Sequence, residues 1–203
     1  MIAEKVKILL WLIPFAYLAG SANFSILLFK CMGKADPRSR FSGNPGTANV
    51  VRQSGYMWGS FILILDIGRA ALIVLLADEL LKDAFSLWVG FALLVGNRYP
   101  VFHGFKGGKG VATYLGITAV MAPFFAAASC LTWVLVYAVV RITFIGSFFM
   151  VAVMGFGMMR YFHWNAVAVT GSLLSLALIF HAHRSNIANY QAIREKDPHA
   201  GKA

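Results

Sequence analysis

The chain has 203 residues, of which 59% are hydrophobic and only 13% are charged. A soluble domain is usually about 45–50% apolar and about 25% charged, so this composition excludes an ordinary soluble domain and predicts an integral membrane protein. The formal net charge is +10, but the basic residues lie between hydrophobic segments. We therefore expect membrane lipid headgroups and phosphorylated small molecules as partners and no nucleic acid. The two cysteines lie in unlike surroundings and predict neither a disulfide framework nor a metal site.

The first hydrophobic segment runs from Ile8 to Phe29, about the 20 residues that a membrane span needs. A secretory signal peptide is the alternative, because Ala19–Ala22 (AGSA) is similar to a cleavage site. The apolar run continues past that point and ends in a basic flank. We therefore predict a retained span.

A polar segment follows, Lys30–Ser54, which carries five basic residues and one acid, Asp36. Its centre, Ser42–Gly46, is dense in turn-forming residues. Asn49 and Arg52 follow three residues apart, a spacing that can place both on one face of a helix. The segment has two interpretations that remain open: an anion-binding loop, or a solvated basic loop on the cytoplasmic side.

The next two predicted spans are Gly55–Ala77 and Ala84–Phe102. Asp66 and Arg69 lie inside the first of them, where ionisable side chains are costly unless they pair or face a polar cavity. Because these two can pair with each other, structural support is at least as good an explanation as chemistry.

A glycine loop, Lys106–Gly110, follows the third predicted span and combines two lysines with three glycines. Glycine lets backbone N–H groups turn toward one point, and the helix predicted from Val111 adds its positive N-terminal end. This pattern predicts a phosphate cradle, although the spacing is not that of a Walker A loop. A flexible basic turn that touches only lipid headgroups is the alternative.

The segment Val111–Val140 is too long for one ordinary span and too short for two. Pro123 lies near its middle and either breaks or starts a helix. Two short spans, Val111–Met121 and Pro123–Val140, return Arg141 to the side that holds the glycine loop. The positive-inside rule therefore favours two spans.

Gly146–Met159 and Asn165–Phe180 complete the predicted set, and a basic tail begins at His181. This count predicts an all-α integral membrane protein, one domain over residues 1–203, with seven transmembrane helices. Most basic residues then lie on one side, so the N-terminus is predicted outside and the motif loops and the C-terminus in the cytoplasm.

That topology brings the polar segment, the glycine loop and His183–Glu195 to one membrane face. His181 and His183 are two residues apart and diverge on a helix, so no metal site is expected. The sequence has no nucleophile elbow and no Cys–His pairing. Direct transfer without a covalent intermediate or a cofactor is therefore the expected chemistry.

Three stretches resemble motifs of the bacterial acyl-phosphate:glycerol-3-phosphate acyltransferases, and the resemblance covers nearly the whole chain. They are Ser42–Arg52 (SGNPGTANVVR), Pro100–Thr113 (PVFHGFKGGKGVAT) and His183–Ile187 (HRSNI), with Glu195 beyond. The resemblance implies acyl transfer from acyl phosphate to glycerol 3-phosphate in the bacterial cytoplasmic (inner) membrane. It also implies an upstream enzyme that forms acyl phosphate as a partner.

The expected roles follow from the chemistry of a mixed anhydride, which needs positioning and charge neutralisation. The glycine loop is expected to bind the leaving phosphate, and Arg52, Asn49 and Asn186 the acceptor. His183 is either a general base or a hydrogen-bonding binder. The expected catalytic residues are His183, Asn186, Lys106 and Lys109. The expected substrate-binding residues are Ser42, Gly43, Asn44, Gly46, Asn49, Arg52, Gly107, Gly108, Gly110 and Glu195.

The chain departs from the family's usual motifs at Thr47-Ala48, where the order is reversed, and at Asn97, where histidine is common. These departures leave a related enzyme with another acceptor open. A small transporter for a phosphorylated solute is the alternative from another class. It is less favoured because transporters usually place binding groups at the midplane in repeated halves, and no internal repeat is evident.

Overall fold

The structure is a computed structural model that describes residues 2–196, with side chains described for residues 3–195. Within that range the chain is helical and has no strand. The ten α-helices are α1 Ile2–Ser21, α2 Phe24–Cys31, α3 Thr47–Ser54, α4 Tyr56–Leu81, α5 Ser86–Arg98, α6 Val111–Met121, α7 Pro123–Val140, α8 Thr143–Tyr161, α9 Ala166–Ala182 and α10 Arg184–Lys196. Short 3₁₀ turns cover Pro37–Ser39 and Val101–His103.

Three helices, α4, α7 and α8, are each long and apolar enough to cross a membrane. Two bent pairs raise the number to five if each pair is one span: α1 with α2, bent by 42°, and α9 with α10, bent by 44°. Large apolar side chains such as Trp11 and Val139, which are 81% and 83% exposed, cover the outer surface. Their exposure fits a lipid environment, and the count of seven spans stays a prediction.

The division of the segment Val111–Val140 into two helices is confirmed. The N–H of Ala122 closes α6 by donating to Thr118 O at 2.7 Å, and α7 begins at Pro123. Proline is suited to a first helical position because the N–H it lacks would have no partner inside the helix.

The third predicted span is shorter than expected. The sequence predicts a span over Ala84–Phe102, but α5 covers 13 residues and ends at Arg98. The reason is local, because a proline disfavours the helical conformation of the residue before it, and Tyr99 precedes Pro100. This early end leaves room for the glycine loop to fold back against α5.

The first predicted span is broken between α1 and α2, which the sequence does not predict. Asn23 caps α2 by accepting a hydrogen bond from Ile26 N at 3.1 Å. The Arg69 guanidinium donates to the carbonyl of Ala22, which the break leaves free, and pairs with Asp66 at 3.1 Å. The pair inside α4 therefore has the structural role left open above.

Helices α1 and α5 cross in direct backbone contact. A Cβ at Gly20 would lie 2.2 Å from Leu93 O, and a Cβ at Gly96 would lie 2.1 Å from Tyr17 O. Neither helix can carry a side chain at this crossing, which is the small-residue packing typical of membrane helices. The crossing fixes the end of α5 beside the glycine loop.

Candidate functional site

The glycine loop folds back under the C-terminal end of α5. The Gly107 N–H donates to the Arg98 carbonyl at 3.2 Å, and the Gly108 N–H donates to the Asn97 carbonyl at 2.9 Å. These bonds satisfy carbonyls that a helix end leaves without partners. The sequence predicts these two amides as part of the phosphate cradle. The structure corrects that prediction, because both already donate within the protein.

The glycines are needed for close approach instead. A Cβ at Gly107 would lie 2.1 Å from Asn97 O and 2.6 Å from Pro100 Cδ. Gly110 directly precedes α6 and has a φ of +85°, and a Cβ there would lie 2.9 Å from a Leu94 methyl carbon. Only glycine combines that φ with that space, so the loop's composition follows from packing as well as from chemistry.

Gly107→Ala is expected to destabilise the protein by about 1–3 kcal/mol, because the methyl group meets rigid backbone and the loop must move. Acyl transfer should fall with it. Gly108→Ala is the matched control, since its Cβ would lie 3.1 Å from the movable Asn97 amide nitrogen. Thermal unfolding in detergent and turnover should both rank Gly107→Ala below Gly108→Ala. Equal behaviour of the two variants would contradict the packing role.

Lys109 connects the glycine loop to α10. Its Nζ donates to Asn186 Oδ1 at 2.6 Å. Burial, and to a smaller extent the nearby charges of Arg52 and Arg98, lower the pKa of Lys109 to about 8. Two side chains predicted to be catalytic, from the second and third motifs, are therefore in contact.

The positive end of α6 lies directly after Lys109. Gly110 provides no side-chain cap, and the first hydrogen bond inside the helix runs from Tyr114 N to Gly110 O at 2.8 Å. The N–H groups of the first turn therefore precede any intrahelical partner and carry the positive end of the helix dipole. This end supplies the backbone donors that the amides of Gly107 and Gly108 do not.

His183 lies just beyond α9 and beyond the predicted span Asn165–Phe180, and it is only 3% exposed. Its Nδ1 lies 2.8 Å from the carbonyl oxygen of Ile179. A carbonyl only accepts, so Nδ1 carries the proton and Nε2 is the acceptor of the neutral ring. Burial lowers the pKa of His183 to about 4, and the charges of Lys109 and Arg98 act in the same direction. The imidazole is therefore neutral near pH 7.

Arg38 connects the polar segment to the glycine loop, a role that the motifs do not predict. Its Nη1 donates to the carbonyls of His103 at 2.7 Å and Lys106 at 3.0 Å. Its Nε and Nη2 donate to the Asp36 carboxylate at 3.0 Å and 2.7 Å. The Arg38 hydrogen bond lowers the pKa of Asp36, which keeps the carboxylate charged. The sequence does contain a signal for this ion pair, because Asp36 is the one acid of the polar segment and lies two residues before Arg38.

Arg38→Ala is expected to lower kcat/KM by about 10-fold or more, because the glycine loop loses a contact that positions it. A displacement of about 1 Å in a catalytic group can lower the rate by about 100-fold. Arg40→Ala is the matched control, because Arg40 is exposed and its removal makes the same change in charge. Arg38→Lys should rescue only part of the loss, because one ammonium cannot reproduce the fork. Equal kcat/KM values for the Arg38→Ala and Arg40→Ala proteins would contradict this role.

Asn49 and Arg52 do not share one exposed face, although their spacing allows it. Asn49 is 1% exposed, and its Nδ2 donates to the carbonyls of Pro37 at 2.8 Å and Arg40 at 3.3 Å. Arg52 is exposed. The Nδ2 of Asn49 therefore holds the polar segment against α3, whereas its buried Oδ1 has no hydrogen-bond partner, so only the nitrogen is unavailable to the acceptor.

The remaining residues predicted to bind substrate in the polar segment lie in its turn. Ser42 and Gly43 are exposed, and Gly43 has a φ of +64°. The Asn44 amide nitrogen packs against Gly46, where a Cβ would lie 2.8 Å from it. The turn is therefore open to solvent, with Asn44 held across the start of α3.

Two predicted residues lie apart from the contact between Lys109 and Asn186. Lys106 is exposed, and its described contact with Arg38 is made by its carbonyl. Glu195 follows Asn186 by nine residues on α10, about 13 Å along the helix axis. It lines a groove of about 700 Å³ between α8 and α10. This placement does not support the predicted contact of Glu195 with a substrate bound beside Lys109 and Asn186.

These features define a class: a helical membrane protein whose cationic site joins a glycine loop to a buried histidine. Within residues 2–196 no three His, Cys, Asp or Glu side chains lie together as a metal site would require. The chain belongs to the family described as glycerol-3-phosphate acyltransferase, whose model matches residues 10–192. The resemblance seen in the three motifs is thereby confirmed.

Individual relatives show the same family. Glycerol-3-phosphate acyltransferase of Anaeromyxobacter dehalogenans (strain 2CP-C) is 38% identical over 190 residues, covering 91% of this chain and 94% of the relative. The Myxococcus xanthus enzyme is 41% identical over 180 residues, covering 87% and 92%. Among solved structures, the chain is similar to PlsY (YgiH), an integral membrane glycerol 3-phosphate acyltransferase, in its glycerol 3-phosphate form. The TM-score is 0.84 at 33% identity, with 91% and 92% of the two chains covered.

Proposed function

We propose that the chain transfers a fatty acyl group from acyl phosphate to the 1-hydroxyl of glycerol 3-phosphate, giving lysophosphatidic acid and inorganic phosphate. The observation that carries the proposal is the 2.6 Å contact between Lys109 and Asn186 beside the buried His183. This contact brings the second and third motifs of the family together at a positively charged side chain. The similar PlsY structures are those of a glycerol 3-phosphate form and a lysophosphatidic acid form, which match the proposed acceptor and product.

The reaction needs little beyond positioning and charge. The acceptor hydroxyl oxygen attacks the acyl carbonyl, and the bond between that carbon and the phosphate oxygen breaks. The hydroxyl proton passes to His183 Nε2 or to an oxygen of the leaving phosphate. Lys109 and the first turn of α6 stabilise the negative charge that the phosphate carries away. Transfer from a mixed anhydride is direct, so the proposed reaction uses no cofactor.

We further propose that residues 1–203 form one domain with seven spans in the bacterial cytoplasmic membrane. The N-terminus lies outside, and the three motifs face the cytoplasm with the C-terminus. The charge distribution supports this orientation. The contacts of Arg38 with the glycine loop and of Lys109 with α10 support a common face for all three motifs. An upstream enzyme that forms acyl phosphate is the expected donor supply.

Cysteine labelling tests this topology. With Cys31 and Cys130 replaced by alanine, single cysteines at the exposed positions Phe102 and Asn189 should react only with reagent on the cytoplasmic side. A cysteine at Glu79, in the last turn of α4, should react only from outside. Labelling of Phe102 and Asn189 from opposite sides would remove the common face.

The activity is tested with purified protein, acyl phosphate and labelled glycerol 3-phosphate. Labelled lysophosphatidic acid and one equivalent of phosphate are the expected products. An acyl thioester in place of acyl phosphate tests the donor and should give no product. In sealed vesicles, glycerol 3-phosphate that accumulates without being acylated would contradict the proposal and favour the transporter.

A further inference from the structure

Arg98, the last residue of α5, is a partly buried cation without a counter-ion in the described structure. Its Nε is buried and makes no hydrogen bond, and its described ring contact is with Tyr99, whose centroid lies 5.2 Å from Cζ. The ion pairs formed among side chains 3–195 do not include it. A guanidinium N–H withdrawn from water is costly unless something accepts its hydrogen bond.

Arg98 is held beside the site by the glycine loop. Its carbonyl accepts the Gly107 hydrogen bond at 3.2 Å, two residues before Lys109. Its charge is close enough to lower the pKa of both Lys109 and His183. Arg52 acts on Lys109 in the same way. The charges of Arg52 and Arg98 thus both act on Lys109, and among the described side chains no acid pairs with any of these three cations.

We propose that Arg98 is a further phosphate-binding residue, which holds the same substrate phosphate as Lys109. This assignment rests on the proposed function. A phosphate satisfies the unpartnered Nε and offsets the repulsion among the three cations at once. Arginine suits this task because its planar fork binds two phosphate oxygens together. The role of Arg98 does not follow from the sequence, because its burial and its nearness to Lys109 come from the tertiary fold.

Phosphate binding measures this role without requiring turnover. The purified wild-type protein and the variants Arg98→Gln, Arg98→Lys and Arg40→Ala are titrated calorimetrically with inorganic phosphate. The KM for acyl phosphate is measured in parallel. Arg98→Gln should weaken phosphate binding by about 10-fold or more, the loss expected for a charged hydrogen bond. Arg98→Lys should recover part of it, and Arg40→Ala should match the wild type.

Two results would overturn the assignment. One is the same phosphate affinity in Arg98→Gln and Arg40→Ala, and the other is a wild-type protein that does not bind phosphate. If Arg98→Gln does not fold, Arg98→Lys is the deciding variant. A phosphate affinity of Arg98→Lys equal to that of the wild type would contradict binding by the planar guanidinium. Phosphate binding that depends on Arg98 in a protein that makes no lysophosphatidic acid would defeat the proposed function and keep the assignment.

Discussion

Lys109→Met is expected to lower kcat by about 10²–10³-fold, the loss usual for one preorganised group that stabilises developing charge. Lys109 is the cation in contact with Asn186, and it directly precedes the positive end of α6. Methionine keeps much of the side chain's volume and removes the charge. The measurement is kcat at saturating acyl phosphate and glycerol 3-phosphate.

Lys7→Met is the matched control, because Lys7 is exposed near the N-terminus and far along the chain from the motifs. It should retain wild-type turnover. Lys109→Arg keeps the charge and should be less damaging than Lys109→Met. A Lys109→Met protein with kcat within a few-fold of the control would remove Lys109 from the reaction.

The lowered pKa of Lys109 gives this prediction a pH dependence. A lysine is charged below its pKa, so the ammonium is lost as pH rises through about 8 in the free protein. The value of kcat/KM should therefore fall above about pH 8, and the fall should move to higher pH in Lys109→Arg, because arginine stays protonated. A profile that is flat to pH 10 in the wild type would contradict it.

His183→Ala is expected to lower kcat/KM by about 10²–10⁴-fold, whether the ring binds or accepts a proton. The two roles separate in His183→Asn. Asparagine can replace a neutral imidazole's hydrogen bond but cannot serve as its base. Because the pKa of His183 is lowered to about 4, the ring is a weak proton acceptor. We therefore expect His183→Asn to keep most of kcat and to raise KM for glycerol 3-phosphate.

The pH profile adds a second test at His183. The neutral ring is the form that binds, and it is lost only as pH falls through about 4. The ring itself should therefore contribute no fall in turnover near pH 6.5, where an ordinary histidine titrates, so the wild type and His183→Asn should change alike there, with the titration of the substrate phosphate. A collapse of kcat in His183→Asn at saturating glycerol 3-phosphate, with KM unchanged, would establish His183 as the base.

Much of the fold was predictable from the lengths of the hydrophobic segments and from the helix-breaking residues. The helical class and the division at Pro123 were predicted correctly, because each depends on residues that are near one another in the sequence. The break between α1 and α2 was missed because its stabilising partner, Arg69, lies on another helix. The early end of α5 is a local effect of Pro100. It was missed because the prediction followed the length of the hydrophobic segment instead.

The site was predictable where a side chain makes its own contact. Lys109, His183 and Asn186 were chosen from their chemical types and motifs, and two of them touch. The N–H groups of Gly107 and Gly108 were predicted to face a phosphate, but they donate to carbonyls of a preceding helix, which the motif does not reveal. Arg38 was missed for a related reason, since its partners include two backbone carbonyls more than sixty residues away.

The crossing of α1 and α5 links the reaction to the thickness of the lipid around it. With backbone against backbone at Gly20 and Gly96, the two helices cannot slide past a side chain, so they tilt together. With 20 residues, α1 is about as long as an ordinary hydrocarbon core is thick, so it must tilt when the surrounding bilayer becomes thinner. The glycine loop hydrogen-bonds to the end of α5, so a change in the tilt of α1 moves the backbone that positions Lys109. We therefore expect acyl-chain length in the surrounding lipids to change turnover without any contact between those lipids and the site.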